Sequence, residues 1–196
     1  SNNLCSLVPR EDRNVLVCKI SFNKEGVINS YEFNEAIINS NKRFTYNEVE
    51  FLLQDKEINI SSKVLQSIIA LKKLTKKLLK ERLKRNALEI DSSEPVLKFN
   101  NKDGISEISV PKRLFAHQMI EEAMISANIC AARFIKKHLG FGVYRVHEEP
   151  ESLKIENLKK FFSLKGLSSK SFLHTLELIN GFIGHINKNE ENKMLN

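Results

Sequence analysis

Glu121 and Glu122 stand side by side in IEEAMISANICAARFIKKHLGFGVYRVH, residues 120 to 147, a stretch otherwise rich in Ala, Ile and Met. Adjacent helical residues point about 100° apart, so at least one of the two carboxylates should face solvent while the other leans toward the apolar stripe. Carboxylates are the side chains that metal-assisted and acid–base chemistry needs. Elsewhere, however, Asp55, Asp91 and Asp103 are scattered and form no clustered set for two-metal catalysis. The competing structural reading is a partly buried glutamate paired with Arg113 or Lys112, a couple of turns earlier. Taken alone, the residues leave both open.

A second group with a chemical use is cationic. Lys72, Lys73, Lys76, Lys77, Lys80, Arg82, Lys84 and Arg85 stand against the single acid Glu81. A charge run on a helix is either a solvated face or a track for phosphates. The formal net charge of +7 favours anionic partners, with an attraction that weakens as salt rises. A Lys-, Asn- and Ile-rich composition can equally reflect a bias of the source organism. Other familiar patterns are missing: there is no Walker A loop, no G-x-G-x-x-G, no H-E-x-x-H and no G-x-S-x-G. Gly140 to Gly142 reads as a helix stop and turn. His117, His138, His147, His174 and His185 lack metal-ligand spacing and read as surface or capping residues. Cys5, Cys18 and Cys130 form no C-x-x-C pair and read as reduced, partly buried thiols.

These groups need elements to position them. Val15 to Ser21 and Val27 to Phe33 are β-branched and aromatic runs joined by FNKEG, which predicts a hairpin with Gly26 supplying a positive φ. Asn34 to Ser40 either extends the second strand or starts a third. Thr45 followed by Glu48 has the capping-box spacing and puts Tyr46 at the first position of a short helix. Residues 61 to 88 space Val64, Leu65, Ile68, Ile69, Leu71, Leu78, Leu79 and Leu83 at helical intervals, a long amphipathic helix whose other face is the lysine run. Val96 to Phe99 and Ile105 to Val110 flank NNKDG, where Asp103-Gly104 signals a second hairpin.

A helix follows Pro111 and closes at Gly140 in a left-handed cap. Its stripes Met119, Ala123, Ser126, Cys130, Phe134 and Ile120, Met124, Ala127, Ala131 predict burial on more than one side. Val143 to Val146 reads as a short strand, and Leu153 to Leu164 and Ser171 to Ile186 as helices. The last residues, NKNEENKMLN, read as a frayed end or as the start of something further.

The sum is an α+β chain of antiparallel hairpins packed with several helices. Its 196 residues, 41% hydrophobic and 28% charged, suffice for a packed core and argue against wholesale disorder. No apolar run approaches the roughly 20 residues needed to cross a bilayer, and SNNLCSLVPRED lacks the character of a secretory signal, which predicts a cytoplasmic protein with no membrane partner.

IEEAMISANICAARFIKKHLGFGVYRVH closely resembles a helix and strand of the ribonuclease II family, the RNB catalytic fold that includes ribonuclease R. NNLCSLVPREDRNVLVCKISFNKEGVINSYEFNEAIINSNKRFTYNEV is similar to the family segment that begins L-C-S-L and runs to a T-Y or V-Y pair, with the same order of hairpin and helix afterwards. The form EEAMISANICAAR followed by LGFG leans toward ribonuclease II. The resemblance implies a processive 3'-to-5' exoribonuclease that releases nucleoside 5'-monophosphates from single-stranded RNA, with magnesium at the bottom of a narrow basic channel and no nucleotide cofactor. It implies that Tyr46 packs on the 3'-terminal base and that Glu121 lies near the catalytic pocket, with Glu122 as its structural or solvated partner. Apart from the resemblance, Tyr46 reads as an amphipathic tyrosine covering the start of its helix.

The sequence departs from the family pattern in three places. Ile90 stands where the family tends to place a base-clamping aromatic, unless the alignment slips and brings Phe99 there. The acidic metal motif D-x-x-x-x-x-D-x-D-D-A, expected upstream of L-C-S-L, is not in the sequence, nor is the downstream basic motif T-S-P-I-R-[RK]-Y, nor are the flanking OB-folds. The resemblance therefore implies that residues 1 to 196 are the central part of an RNB catalytic domain, inactive alone, with magnesium ligands elsewhere and truncated edges open to oligomerisation. Within it, Lys76, Lys77 and Lys80 would be the phosphate-facing residues. The rival expectation is a non-catalytic basic RNA-binding module of the same fold.

Overall fold

The computed structural model describes residues 4–54, 60–88, 95–100, 104–110, 113–146, 148–164, 166 and 175–188. Ile90, Asp55, Asp91, Asp103, Lys112, His147, His174, the first residues of the helix expected from Ser171, and the chain end from residue 189 lie outside them. Two units are distinguished, Ser1–Glu81 with Pro95–Val143, and Arg82–Glu94 with Tyr144–Asn196.

The first unit opens with an antiparallel hairpin, β1 (Asp12–Phe22) and β2 (Ile28–Asn39). Residues 34 to 39 extend β2 rather than start a third strand, pairing from Asp12↔Asn39 to Phe22↔Ile28 with one irregularity at Ser21/Phe22. Gly26 at the turn has φ +97, and a Cβ built there would lie 2.9 Å from the Lys77 Cβ. Only glycine meets both demands, the left-handed backbone and the close approach of a neighbouring helix.

Two helices follow: α1 (Tyr46–Leu53), and α2 (Ser62–Lys84), which buries Thr75 and Leu78. Thr75 is 0% exposed and its hydroxyl donates to the Leu71 carbonyl at 2.9 Å, which removes the cost of burying it. The second hairpin is β3 (Val96–Phe99) with β4 (Ile105–Ser109). Its loop is closed by Asn100, whose N–H donates to the Gly104 carbonyl and whose side-chain oxygen accepts the Gly104 N–H.

α3 runs Phe115–Leu139 and stops at Gly140, φ +77, as the sequence predicts. It begins a few residues later than expected from Pro111, because Leu114 is held extended as the residue before the first turn. Its burial also differs from expectation. Ala116, Met119, Glu122, Ser126 and Cys130 form one buried stripe, while Ile120 and Met124 are exposed within the described structure. Spacings of three and four residues make one face, and the small residues Ala123 and Ala131 do not add a second.

That face meets α1 and β1. Phe33, paired across the hairpin with Cys18, packs edge-on against Phe134 at 5.1 Å. Cys130, one turn before Phe134, is 0% exposed beside the Cys18 thiol, and burial pushes its own thiol pKa up.

The second unit contains α4 (Ser152–Leu164), which buries Phe162, and α5 (Thr175–Lys188). Asn86, in the left-handed region at φ 55, ends the turn after α2, and its carbonyl accepts from the Asn180 side chain at 3.1 Å. Val143 to Val146 is irregular rather than a strand; no described segment pairs with it, and Val143 is fully exposed.

Candidate functional site

Tyr46 takes its place from a local hydrogen-bond exchange. The Thr45 hydroxyl oxygen accepts the Glu48 N–H at 3.2 Å, and a Glu48 carboxylate oxygen accepts the Thr45 N–H at 2.7 Å. This is a complete capping box, and it fixes Tyr46 as the first helical residue of α1. Backbone and hydroxyl donation from Thr45 lowers the Glu48 pKa from its ordinary value.

α3 solves the same problem differently. Leu114, the residue before its first turn, has no side-chain acceptor, and the first turn contains no acid. The Nδ1 of His117 accepts the Leu114 N–H at 3.1 Å, the returning half of a capping box. A second orphan donor, the Ala116 N–H, is taken by the Glu50 carboxylate of α1 at 3.3 Å. A negative charge from a neighbouring helix thus caps the positive end of α3.

The result is one cluster across two helix beginnings. Tyr46 and Glu50 are one turn apart on α1. Arg113, His117 and Glu121 follow at intervals of four, with Arg113 just ahead of α3. The Tyr46 ring stacks on the His117 imidazole with centroids 3.9 Å apart and 22° between planes. Arg113 donates to Glu121 in an ion pair spanning His117. The Glu121 side chain remains 36% exposed, whereas Glu122 is 3% exposed on the core side. The two carboxylates divide as the 100° rule predicts: Glu121 pairs with Arg113, one of its two expected partners, and stays partly exposed one turn after His117. Glu122 is the structural member of the pair and not a solvated one.

Chemically, the cluster offers a half-exposed aromatic face, with Tyr46 45% exposed, next to a guanidinium–carboxylate pair. It can stack on a planar group and hydrogen-bond to hydroxyl or anionic groups beside it. Among the described residues no three His, Cys, Asp or Glu side chains stand close enough together to hold a metal ion. Magnesium does not fit the described residues of this cluster, since Glu121 instead serves Arg113 and Glu122 lies in the core.

Lys76, Lys77 and Lys80 are exposed along α2, although the Lys77 Cβ lies close to the hairpin turn at Gly26. Lys72 does not belong with them: its ammonium donates to the Leu53 carbonyl at 3.1 Å and closes the end of α1. Phe99, the alternative to Ile90 as a stacking residue, is 63% exposed on β3. A shallow groove on the first hairpin, lined by Asn14, Leu16, Glu35 and Ile37 among others, includes none of the site residues expected from the sequence.

Sequence reasoning missed His117 as the partner of the Tyr46 ring and Glu50 as the acceptor of the Ala116 N–H. The signals were the four-residue interval from Tyr46 to Glu50, the matching intervals from Arg113 through His117 to Glu121, and a helix start at Leu114 with no acceptor of its own. His117 does cap, as its general reading had it.

The RNB domain family matches residues 1–196, the whole chain. Ribonuclease R of Vibrio parahaemolyticus is 37% identical over 175 residues, covering 88% of this chain and 21% of that protein. Exoribonuclease 2 of Psychromonas ingrahamii is 34% identical over 188 residues, covering 93% of this chain and 28% of that protein. Among solved structures, Mycoplasma genitalium RNase R in complex with ribose methylated single-stranded RNA superposes with a TM-score of 0.86 at 28% identity, over 98% of this chain and 30% of that one. The same enzyme in complex with double-stranded RNA gives 0.87 at 27% identity, over 98% and 35%.

The chain belongs to the RNB family of ribonucleases. It is an α+β portion of the RNB fold, and it spans well under half the length of the relatives it matches. The similar identities to ribonuclease R and exoribonuclease 2 do not favour the lean toward ribonuclease II.

Proposed function

We propose that the protein carrying this chain is a processive, cytoplasmic 3'-to-5' exoribonuclease that hydrolyses single-stranded RNA to nucleoside 5'-monophosphates, and that this chain supplies one wall of its RNA channel. Family membership supports the ribonuclease class, and relatives bear the names ribonuclease R and exoribonuclease 2. The observation that carries the site assignment is the exposed Tyr46 ring, backed by His117 and neighbouring the Arg113–Glu121 pair.

In this reading Tyr46 stacks on the 3'-terminal base. Stacking accepts any base, because each has a π-face, and so suits an enzyme that must not read sequence. Glu121, held by Arg113, orients the terminal nucleotide through hydrogen bonds from its sugar hydroxyls. Lys76, Lys77 and Lys80 attract the phosphate chain. Magnesium belongs to the proposal as the cofactor of the whole enzyme, with ligands outside this chain.

The test is kinetic. In the full-length protein, Tyr46→Ala should lower kcat/KM for a single-stranded oligomer by about 5- to 100-fold, the equivalent of roughly 1–3 kcal/mol of lost stacking. Glu121→Gln should lower kcat more than it raises KM. Unchanged kinetics in both variants would remove these residues from the site. The exposed lysines of α2 keep a second reading in view, a non-catalytic basic RNA-binding module, which predicts RNA binding without shortening.

A further inference from the structure

We propose that His117 is a positioning residue for the terminal nucleobase: its imidazole is the fixed backing plate that sets the plane of the Tyr46 ring. The inference rests on the assignment of Tyr46 as the stacking residue, and adds to it the reason that ring is held ready.

Tyr46 is the first residue of an eight-residue helix and is 45% exposed. A tyrosine in that position, left to itself, has several side-chain rotamers open to it, and ordering one on binding costs free energy. The partner that removes this freedom lies on another helix. At 3.9 Å and 22° the two rings overlap face to face, so the His117 plane dictates the Tyr46 plane. The opposite face of the phenol is the one a base can meet.

His117 is itself fixed. Its Nδ1 accepts the Leu114 N–H at 3.1 Å, which requires that nitrogen to be unprotonated and leaves the ring hydrogen on Nε2. The bond ties the ring to the backbone at the start of α3. Residues one turn to either side, Arg113 and Glu121, close over the same stripe through their ion pair. Glu50, one turn after Tyr46, is bonded to the Ala116 N–H and locks the two helix starts together. The chain of constraint runs from the α3 backbone to His117, from His117 to Tyr46, and from Tyr46 to the base. Preorganisation of this kind, a second residue holding the one that touches the ligand, sharpens geometry without adding a contact.

Two substitutions separate the stacking role from the capping role. His117→Gln keeps a side-chain acceptor three residues into the helix and so preserves the cap, but removes the ring. His117→Phe keeps the ring and removes the acceptor. The probe is a single-stranded RNA oligomer with 2-aminopurine at its 3' end, bound to the full-length protein in excess EDTA so that nothing is cleaved. Stacking on Tyr46 quenches its fluorescence.

The wild type should quench, Tyr46→Ala should not, and His117→Gln should lose about fivefold or more of the stacked population while overall affinity, carried by phosphate contacts, falls much less. His117→Phe, which keeps the ring but loses the tie to Leu114, should recover part of the quenching. Wild-type quenching in His117→Gln, or a Phe variant no better than Gln, overturns the role of His117 while leaving Tyr46 in place. Full quenching in Tyr46→Ala overturns the stacking assignment itself and this inference with it.

Discussion

At the residue scale, the placement of Tyr46 depends on two neighbours, Thr45 and Glu48. Donation from Thr45 holds the Glu48 carboxyl below its ordinary range. A carboxylate whose pKa is lower in the folded chain than in the unfolded one contributes stability above its unfolded pKa and loses it as pH falls through the folded value. The start of α1 should therefore loosen on acidification below the ordinary carboxylate range, followed by amide exchange at Glu48 or by the Tyr46 ring signals. Glu48→Gln should flatten that dependence, and an equally steep one in the variant would contradict the capping account. Thr45→Ala should cost about 0.5–2 kcal/mol of stability. Tyr46 and the division between Glu121 and Glu122 were legible in the sequence because short-range rules govern them: the T-x-x-E spacing and the rotation per helical residue. His117 and Glu50 were not, because their significance is a contact between helices that begin about 70 residues apart in the chain.

At the scale of elements, the hairpin turn and α2 are fitted to each other at Gly26. Replacing it with alanine places a Cβ 2.9 Å from the Lys77 Cβ on a backbone with φ +97. The expected cost is about 1–3 kcal/mol from the strained backbone, with the clash adding to it. A urea or thermal midpoint that does not move in Gly26→Ala would contradict this packing. The sequence predicted the positive φ but not the helix beside it, since nothing in FNKEG encodes which element covers the turn. The same limit explains α3. Its small and apolar residues suggested two buried sides, yet burial follows the neighbours available, and among the described residues these lie on one. Val143 to Val146 has strand-like side chains and no described strand to pair with, so composition alone misled there. α1, α2 and the two hairpins are legible in the sequence because each carries its own periodicity and its own turn or cap.

For the whole molecule, charge is the property that acts at longest range. The formal net charge is +7, and on α2 Lys76, Lys77 and Lys80 stand exposed. If each contacts a phosphate, changing all three to glutamine should reduce the slope of log affinity against log salt by about 0.7 per lost contact for a single strand, roughly two in total. An unchanged slope would return that face to ordinary solvated lysines. Lys72 is excluded from the set because its ammonium is engaged at the end of α1. Membership of the RNB family was legible in the chain from its ordered similarity, which neither charge nor periodicity could have supplied.

As proposed, the protein carrying this chain removes nucleotides one at a time from the 3' end of single-stranded RNA. Incubating the full-length protein and magnesium with a 5'-labelled single-stranded oligomer, resolved on a denaturing gel, tests it most directly. A ladder shortening stepwise from the 3' end is expected, with 5'-monophosphates released, and intact RNA when residues 1–196 are used alone. Internal cuts, shortening from the 5' end, or tight binding by the full-length protein with no shortening would contradict it.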